Sequence, residues 1–248
     1  MRRAGLVVAD ALDAVREVLR PGLTTADLDE IAEQVIRGAG ATPSFLGYYG
    51  YPATLCVSVN DQVVHGIPGA RVLEPGDVVS VDCGAIVDGW HGDAAFSAVL
   101  EPADPADVAL VRATEEALWA GIAALAGAAR TSAVGGAVED LVDGRFGIVE
   151  DYTGHGIGTA MHQPPDVDNY RSGARGARVE PGLVVAVEPM LTSGGADVHE
   201  LADGWTVVTD DGSRAAHWEH TVAVTADGLW VLTARDGGAE RLGAAREA

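Results

Sequence analysis

The chain has 248 residues, a length that fits one large domain or two fused half-domains, and its 48% hydrophobic and 21% charged residues indicate a globular and not a disordered chain. Its formal net charge of −21 disfavours direct binding to DNA or to an anionic membrane surface. Acidic residues interrupt the N-terminal apolar stretch, and no apolar run reaches the roughly 20 residues that span a bilayer. We therefore expect a cytoplasmic protein without a signal peptide.

Four segments carry apolar residues at helical spacing, and the second opens at Thr24 with a capping-box pattern. The predicted helices cover residues 6–19, 24–38, 104–129 and 133–142. Strand-like stretches lie between them at residues 78–87, 184–187 and 221–224. Helices beside antiparallel hairpins indicate an α+β fold.

One sequence pattern occurs twice. The segments Leu73–Asp82 (LEPGDVVSVD) and Val179–Glu188 (VEPGLVVAVE) each have a turn at Pro-Gly, a short apolar strand and a terminal carboxylate. A second strand carrying another acid follows each segment, with Asp93 in the first and Glu219 in the second. This predicts a duplicated unit about a pseudo-two-fold axis. The alternative is that Glu-Pro-Gly is merely a common turn sequence.

The first half allows its acids to be placed by geometry. Asp88 and Gly89 form a strong two-residue hairpin signal, because such a turn requires positive φ angles. Counting outward from this turn puts Ala95 opposite Asp82, so Asp82 and Asp93 project from the same face as diagonal neighbours. Two repelling carboxylates on an apolar hairpin are costly without a cation. The spacing therefore predicts a metal site.

The second half supplies Glu188 and Glu219 in matching places, and the glycine-rich segment YTGHGIGTAMH contributes His155 and His162. Four carboxylates and one imidazole suit two divalent ions with acids bridging them. Such a pair generates hydroxide near neutral pH and polarises a carbonyl, as amide hydrolysis requires. Ligands of this kind accept Mn, Fe, Co and sometimes Zn.

The motifs HGIPG, VDCGAIVDGWHGD, GHGIG, VEPM and WEHT, in this order, resemble the type I methionine aminopeptidases. The resemblance runs from about residue 3 to residue 235. It implies the pita-bread fold, with two pseudo-symmetric halves (about 1–125 and 126–248) around a central antiparallel sheet in a single catalytic domain, 1–248. It also implies co-translational removal of the N-terminal Met from nascent proteins whose second residue is small, by a dinuclear centre with a bridging hydroxide.

The resemblance assigns a role to each matching residue. His65 would contact the scissile amide or its leaving nitrogen, and His162 would stabilise the carbonyl oxygen as it becomes an oxyanion. Glu188 would be the general base as well as a ligand, and Asp93 and Glu219 would bridge the two ions. The implied metal ligands are Asp82, Asp93, His155, Glu188 and Glu219.

An apolar pocket for the Met side chain is also implied, and aromatic contacts suit a thioether. The substrate-binding residues would be His65 and His162 with Phe45, Tyr48, Tyr51, Cys56, Met161 and Trp205. Three positions depart from the family pattern. Phe45 and Tyr49 stand where a common form has Cys and His, and Gly84 stands where many relatives have Thr. The departures bear on metal preference and inhibitor response.

The other histidines are expected to be surface or core residues without a role in chemistry: His91, His199, His217 and His220. Alternation along the strand points His220 to the face opposite Glu219. Cys83 is predicted to be a small buried hydrophobic residue. Cys56 and Cys83 form no disulfide framework and no zinc-binding CxxC pattern.

Three other functions remain open from the sequence. A prolidase-like or X-Pro aminopeptidase shares the fold and the ligand types, but such proteins usually carry an extra N-terminal domain, and only about 64 residues precede His65. A binding protein that has lost its metals is the second alternative. A mononuclear zinc protease is the third, and it lacks the required HExxH helix here.

Nascent peptides with N-terminal Met are the predicted partners, and the family resemblance implies a monomer. The segment RSGARGAR brings Arg171, Arg175 and Arg178 together in an acidic chain and lies between His162 and Glu188. We expect it near the rim of the active site, in transient contact with ribosomal RNA phosphates. The alternative is a solvated loop whose arginines offset local acidic residues.

Overall fold

The computed structural model describes residues 1–243. Its helices are α1 (Arg2–Val18), α2 (Thr25–Gly38), α3 (Pro105–Ala124), α4 (Ala133–Val142) and α5 (Ala239–Leu242). Its strands are β1 (Thr42–Pro43), β2 (Leu55–Val59), β3 (Gln62–Val64), β4 (Val78–Val87), β5 (Trp90–Val99), β6 (Gly147–Ile148), β7 (Gly154–Gly156), β8 (Gln163–Val167), β9 (Val184–Val187), β10 (Met190–Thr192), β11 (Val198–Glu200), β12 (Val207–Thr209), β13 (Ala215–His217), β14 (Glu219–Thr225) and β15 (Gly228–Val231). Within these residues, no helix combines the length and apolar character needed to cross a bilayer.

The predicted helices are present, with small differences at their ends. The Thr24 side chain accepts a hydrogen bond from the Asp27 N–H, and the Asp27 carboxylate accepts one from the Thr24 N–H, which confirms the capping box of α2. Helix α3 ends at Ala124, before its predicted end at residue 129. Gly127 adopts a φ of 68° there, which stops the helical backbone.

A central antiparallel sheet holds the long strands in the order β1-β4-β5-β14-β9-β7-β8, with β2 beside β4 and β15 beside β14. Strands β4 and β5 pair in the predicted register, with Val87 opposite Trp90 and Asp82 opposite Ala95. Asp88 and Gly89 have φ angles of 51° and 80°, as the two-residue turn requires. The two halves of the chain meet where β5 pairs with β14.

The sheet is covered by a separate apolar core in each half. In the first half, α1 and α2 pack on β2, β4 and β5, and in the second half α3 and α4 pack on β9, β14 and β15. Trp218 contacts both cores. The helices thus bury one face of the sheet, which leaves the opposite face free to carry polar side chains.

The repeated sequence forms the same local structure twice. In each copy the glycine has a positive φ, 84° at Gly76 and 103° at Gly182. The residue after that glycine donates its N–H to the carbonyl of the repeat's first Glu, from Asp77 to Glu74 and from Leu183 to Glu180. Strands β4 and β9 begin directly after these turns. The repeat therefore delivers a carboxylate at the same point of each half.

Candidate active site

One cavity brings together every residue that the sequence analysis proposed for catalysis, metal binding or substrate binding. Its volume is about 130 Å³. A cavity of about 150 Å³ accepts a benzene-sized group, so this one matches a single side chain of the substrate. The lining residues are Phe45, Tyr48, Tyr51, Cys56, His65, Asp82, Asp93, His155, Met161, His162, Glu188, Trp205 and Glu219.

The first half contributes Asp82 and Asp93 from the paired strands β4 and β5. The backbone of Asp93 is held from the other half, because its N–H donates to Thr221 Oγ and its carbonyl accepts from the same hydroxyl, at 3.0 and 2.8 Å. Asp93 is only 3% exposed. Its carboxylate is therefore held inside the cavity at the junction of the two halves.

The second half contributes His155 from β7, Glu188 directly after β9, and Glu219 at the start of β14. His155 Nδ1 donates to the Gly156 carbonyl at 3.0 Å, which leaves the Nε2 lone pair directed at the acids. Ligand atoms of Asp93, His155 and Glu219 all lie within 4.8 Å of one another. This is the spacing of groups that share a metal ion.

The four acids are largely buried, and within residues 1–243 no arginine forms an ion pair with them. In the same part of the chain, Asp82 Oδ1, Asp93 Oδ1 and Glu219 Oε1 are buried oxygens without a hydrogen-bond partner. Burial, with the charges of neighbouring acids, raises the pKa of Asp93, Glu188 and Glu219 well above the usual range, and burial also raises that of Asp82. A divalent cation would offset this repulsion and satisfy these oxygens. The donor set of four carboxylates and one imidazole fits such ions.

Two further histidines line the cavity beside the acids. Burial lowers the pKa of His65 to about 4, so its ring is neutral at pH 7, and it lies edge-on to Tyr152. His162 lies edge-on to His155, with 4.3 Å between the ring centroids. A hydrogen bond of 2.8 Å joins His162 Nδ1 to the Tyr48 hydroxyl, which orients the ring. His162 Nε2 is then free to interact with a substrate.

Apolar side chains form the remaining wall of the cavity. Tyr51 lies edge-on to Phe45 and to Trp205, and its hydroxyl donates to the backbone carbonyls of Leu55 and Gly66. Cys56 is 5% exposed and belongs to the same apolar cluster. Cys56 therefore lines the pocket. Aromatic rings and sulfur atoms of this kind suit a flexible thioether side chain.

Phe45 and Gly84, two of the three positions expected to depart from the family pattern, lie next to each other. A Cβ atom at Gly84 would lie 2.9 Å from the Phe45 ring and 2.7 Å from Ser44 Cβ. The ring of Phe45 thus fills space that a side chain at position 84 would need. Tyr49, the third departure, is 86% exposed and has a φ of 47° in the loop that carries Tyr48. It lies outside the cavity.

The remaining histidines divide into two groups. Three lie away from the acids: His91 bonds Ser44, His199 pairs with Asp210, and His220 bonds Thr233 on the opposite face of its strand, as predicted. His217 is buried, as expected of a core histidine, but it differs from the other three in adjoining one of the acids.

His217 is 2% exposed, and its Nε2 lies 3.9 Å from Glu188 Oε2. Burial, with a smaller effect from the charge of His65, lowers its pKa to about 3. The sequence contained one signal for this position. His217 lies two residues before Glu219, and alternation along an extended segment places the two side chains on one face.

The arginine segment 171–178 does not line the cavity. Arg171 forms ion pairs with Glu139 and Asp140, and Arg178 lies 3.5 Å from Glu180. Among the residues that the structure describes, Arg175 makes no ion pair. Asn169, two residues before Arg171, donates its side-chain amide to the Glu188 carbonyl at 3.1 Å.

Comparison with known proteins gives a consistent result. The model of metallopeptidase family M24 matches residues 1–226. Methionine aminopeptidase 1 of Mycobacterium tuberculosis is 56% identical over 241 residues, which cover 94% of this chain and 91% of the relative. Methionine aminopeptidase 1 of Bacillus subtilis is 43% identical over 234 residues, or 94% of each chain.

The solved structures agree with the sequence relatives. The crystal structure of methionine aminopeptidase from Thermotoga maritima superposes with a TM-score of 0.91 and 40% identity, covering 94% of both chains. Prolidase from Pyrococcus furiosus gives a TM-score of 0.74 at 18% identity and covers 94% of this chain but 62% of that chain. At 18% identity, the match to the prolidase shows only that the two chains share a fold.

Proposed function

The chain belongs to metallopeptidase family M24 and, within it, to the methionine aminopeptidases, and we propose that it removes the initiator Met from nascent proteins whose second residue is small. The observation that carries the proposal is the single cavity where five candidate ligands and two candidate catalytic histidines adjoin an apolar pocket for one side chain. The enzyme is a metallo-aminopeptidase, a hydrolase. A prolidase-like activity is supported by the fold alone.

Divalent metal ions belong with this family, and we propose that two of them bind here. Asp82, Asp93, His155, Glu188 and Glu219 would hold them, and the family resemblance assigns Asp93 and Glu219 to both ions. Mn, Fe, Co and Zn all suit these ligands. Bound ions of this kind lower the pKa of water and polarise a carbonyl.

The chain's own residues would then act on the peptide. Glu188 would accept a proton from the attacking water and return it to the leaving amine. His162, oriented by Tyr48, would donate Nε2–H to the carbonyl oxygen as negative charge develops there. His65 would contact the scissile nitrogen from the other side of the cavity. The Met side chain would occupy the wall that includes Tyr51 and its neighbours.

The test of this function is peptide cleavage by metal-stripped protein with each ion added back. We expect turnover of Met-Ala-Ser after addition of at least one of Mn²⁺, Fe²⁺, Co²⁺ or Zn²⁺, and weak turnover of peptides with Met-Leu, where the second side chain crowds the ions. An Ala-Pro peptide separates this activity from that of an X-Pro peptidase. Cleavage of Ala-Pro in preference to Met-Ala-Ser would overturn the proposal.

We further propose that the enzyme works as a cytoplasmic monomer on emerging chains and touches the ribosome through the segment with Arg171, Arg175 and Arg178. Arg175 is the cation with the greatest freedom to bind phosphate, since Arg171 is already paired with two acids. Replacing all three with Ala should weaken ribosome co-sedimentation at low salt and leave tripeptide cleavage unchanged. Unchanged co-sedimentation would rule out the proposed ribosome contact and would leave the proposed enzymatic activity untouched.

A further inference from the structure

His217 carries a buried polar atom next to the site. The side chain is 2% exposed, and among the described residues, 1–243, Nε2 has no hydrogen-bond partner. Its nearest charged neighbour is Glu188 Oε2, at 3.9 Å. A buried ring nitrogen without a partner is uncommon and calls for an explanation.

The backbone that carries this ring is held on two sides. The His217 N–H donates to Ser97 Oγ at 2.9 Å, and the same hydroxyl donates to the His217 carbonyl at 2.8 Å. On the other side, His217 pairs with Met190 in the antiparallel ladder of β13 and β10. The ring therefore projects towards Glu188 from a rigid support.

The carboxylate of Glu188 lies between two imidazoles that offer different chemistry. Oε1 faces His155 Nε2 at 3.4 Å. His155 carries its proton on Nδ1, which is bonded to Gly156, so its Nε2 has only a lone pair. Two lone pairs facing each other suit two ligands of one cation. Oε2 is the Glu188 oxygen that lies on the His217 side, 3.9 Å from Nε2, where an N–H would satisfy it.

We propose that His217 is a positioning residue that donates its Nε2–H to Glu188 Oε2 and thereby holds the carboxylate for metal binding through Oε1. A small rotation of the Glu188 side chain closes the 3.9 Å gap between the two atoms. Outer hydrogen bonds of this kind orient metal ligands and raise affinity for the ion. The inference rests on the proposed function, because it presupposes that Glu188 is a ligand.

Substitution separates this role from simple filling of space. His217→Leu removes the N–H and keeps much of the volume, whereas His217→Gln keeps a donor of similar reach. We expect Mn²⁺ affinity of metal-stripped protein, measured by calorimetry, to fall about 10–100-fold in His217→Leu and to return to near the wild-type value in His217→Gln. Equal affinity of His217→Leu and wild type would overturn the proposal, as would equal loss in both variants.

His220→Leu is the matched control. This residue is three positions further along, and its ring faces away from the acids, where it contacts Trp119 and Thr233. We expect it to leave Mn²⁺ affinity unchanged even if it lowers the melting temperature. Metal binding is measured without peptide, so wild-type protein that binds Mn²⁺ but fails to cleave Met-Ala-Ser would overturn the proposed function and leave this inference standing.

Wild-type protein offers a second measurement that does not depend on the folding of a variant. With ¹⁵N-labelled histidine and Zn²⁺ as a diamagnetic probe, NMR identifies which ring nitrogen of His217 carries the proton. We expect a slowly exchanging Nε2–H that couples across the hydrogen bond to Glu188. A proton on Nδ1 in the Zn²⁺-loaded protein would overturn the proposal.

Discussion

The two halves of the molecule place equivalent acids by different means. Asp82 and Asp93 lie on one hairpin closed by a two-residue turn, so a short stretch of sequence determines their spacing. Glu188 and Glu219 lie at the ends of separate strands, β9 and β14, with four short strands between them in the chain. The first pair is a product of local structure, and the second pair depends on long-range pairing.

The strongest test of this comparison removes the bridging candidate from each half. Asp93→Ala and Glu219→Ala should both lose bound metal. Their loss of turnover should exceed the value of about 10–100-fold that is typical when a hydrogen-bond partner of a metal ligand is replaced. Elemental analysis and Met-Ala-Ser cleavage provide the measurements. Near-normal metal content in either variant would show that the halves contribute unequally and that the dinuclear assignment is wrong.

Loss of His162 should have the next largest effect, and on turnover only. His162→Ala should retain bound metal while turnover falls about 10²–10³-fold, because one donor to the developing oxyanion is gone. Tyr48→Phe should show a smaller loss, since the ring stays but its orientation is no longer held. His65→Ala should retain metal with a loss of about 10²–10⁴-fold. Metal loss in His162→Ala would move this residue into the ligand set.

A coupled substitution tests the packing that is specific to the first half. Gly84→Thr should destabilise the protein by about 1–3 kcal/mol and raise the KM for Met peptides, because the new side chain meets Ser44 and the Phe45 ring. Adding Phe45→Cys should restore the part of the loss that comes from the ring, with a coupling energy of about 0.5–3 kcal/mol in the double-mutant cycle. Additive effects, measured by denaturant unfolding, would mean that the two positions are independent.

The smallest expected effect concerns stability without metal. Burial and neighbouring acids raise the pKa of Asp93, whereas the same carboxyl in the unfolded chain has a pKa of about 3.9. The folded state therefore binds more protons above that pH, and stability falls as pH rises through the window between the two pKa values. Metal-stripped Asp93→Asn should melt several degrees above metal-stripped wild type at pH 7.

The same difference should shrink as the pH falls below about 3.9, because the wild-type carboxyl then becomes protonated in the unfolded chain as well as in the folded one. Glu219→Gln should behave in the same way, since burial and the charge of Glu188 raise its pKa too. Added Mn²⁺ should raise the melting temperature of wild type above that of both variants, because the ion stabilises only a folded protein with intact ligands. A higher melting temperature for metal-stripped wild type than for metal-stripped Asp93→Asn at pH 7 would contradict the expected repulsion between the acids.

Much of the fold was predictable because its signals are local. The hairpin register follows from Asp88 and Gly89, the start of α2 follows from Thr24 and Asp27, and the repeat follows from two Pro-Gly turns. Each signal is a contact between residues a few positions apart, so the sequence alone specifies it. The position of the first acid pair could therefore be derived from the sequence.

The candidate site was predicted mainly through motif resemblance, and the structure shows where that approach is incomplete. No spacing rule indicates that Gly84 makes room for Phe45. The two residues come together because Phe45 follows β1, which pairs with β4. His217 belongs beside Glu188 because β13 pairs with β10 and Ser97 holds its backbone. Such contacts join residues far apart in the chain, and they exist only after the two halves have packed.

The sequence by itself determined the α+β class, the turns, the helix starts and the residues able to bind metal. The tertiary structure decided which of the seven histidines face the acids and which side chains close the pocket. The physical reason is the separation along the chain over which each interaction acts. Turn and capping preferences act between neighbours in the chain, whereas the unpaired buried oxygens of Asp82, Asp93 and Glu219 become a site only when sheet formation brings them together.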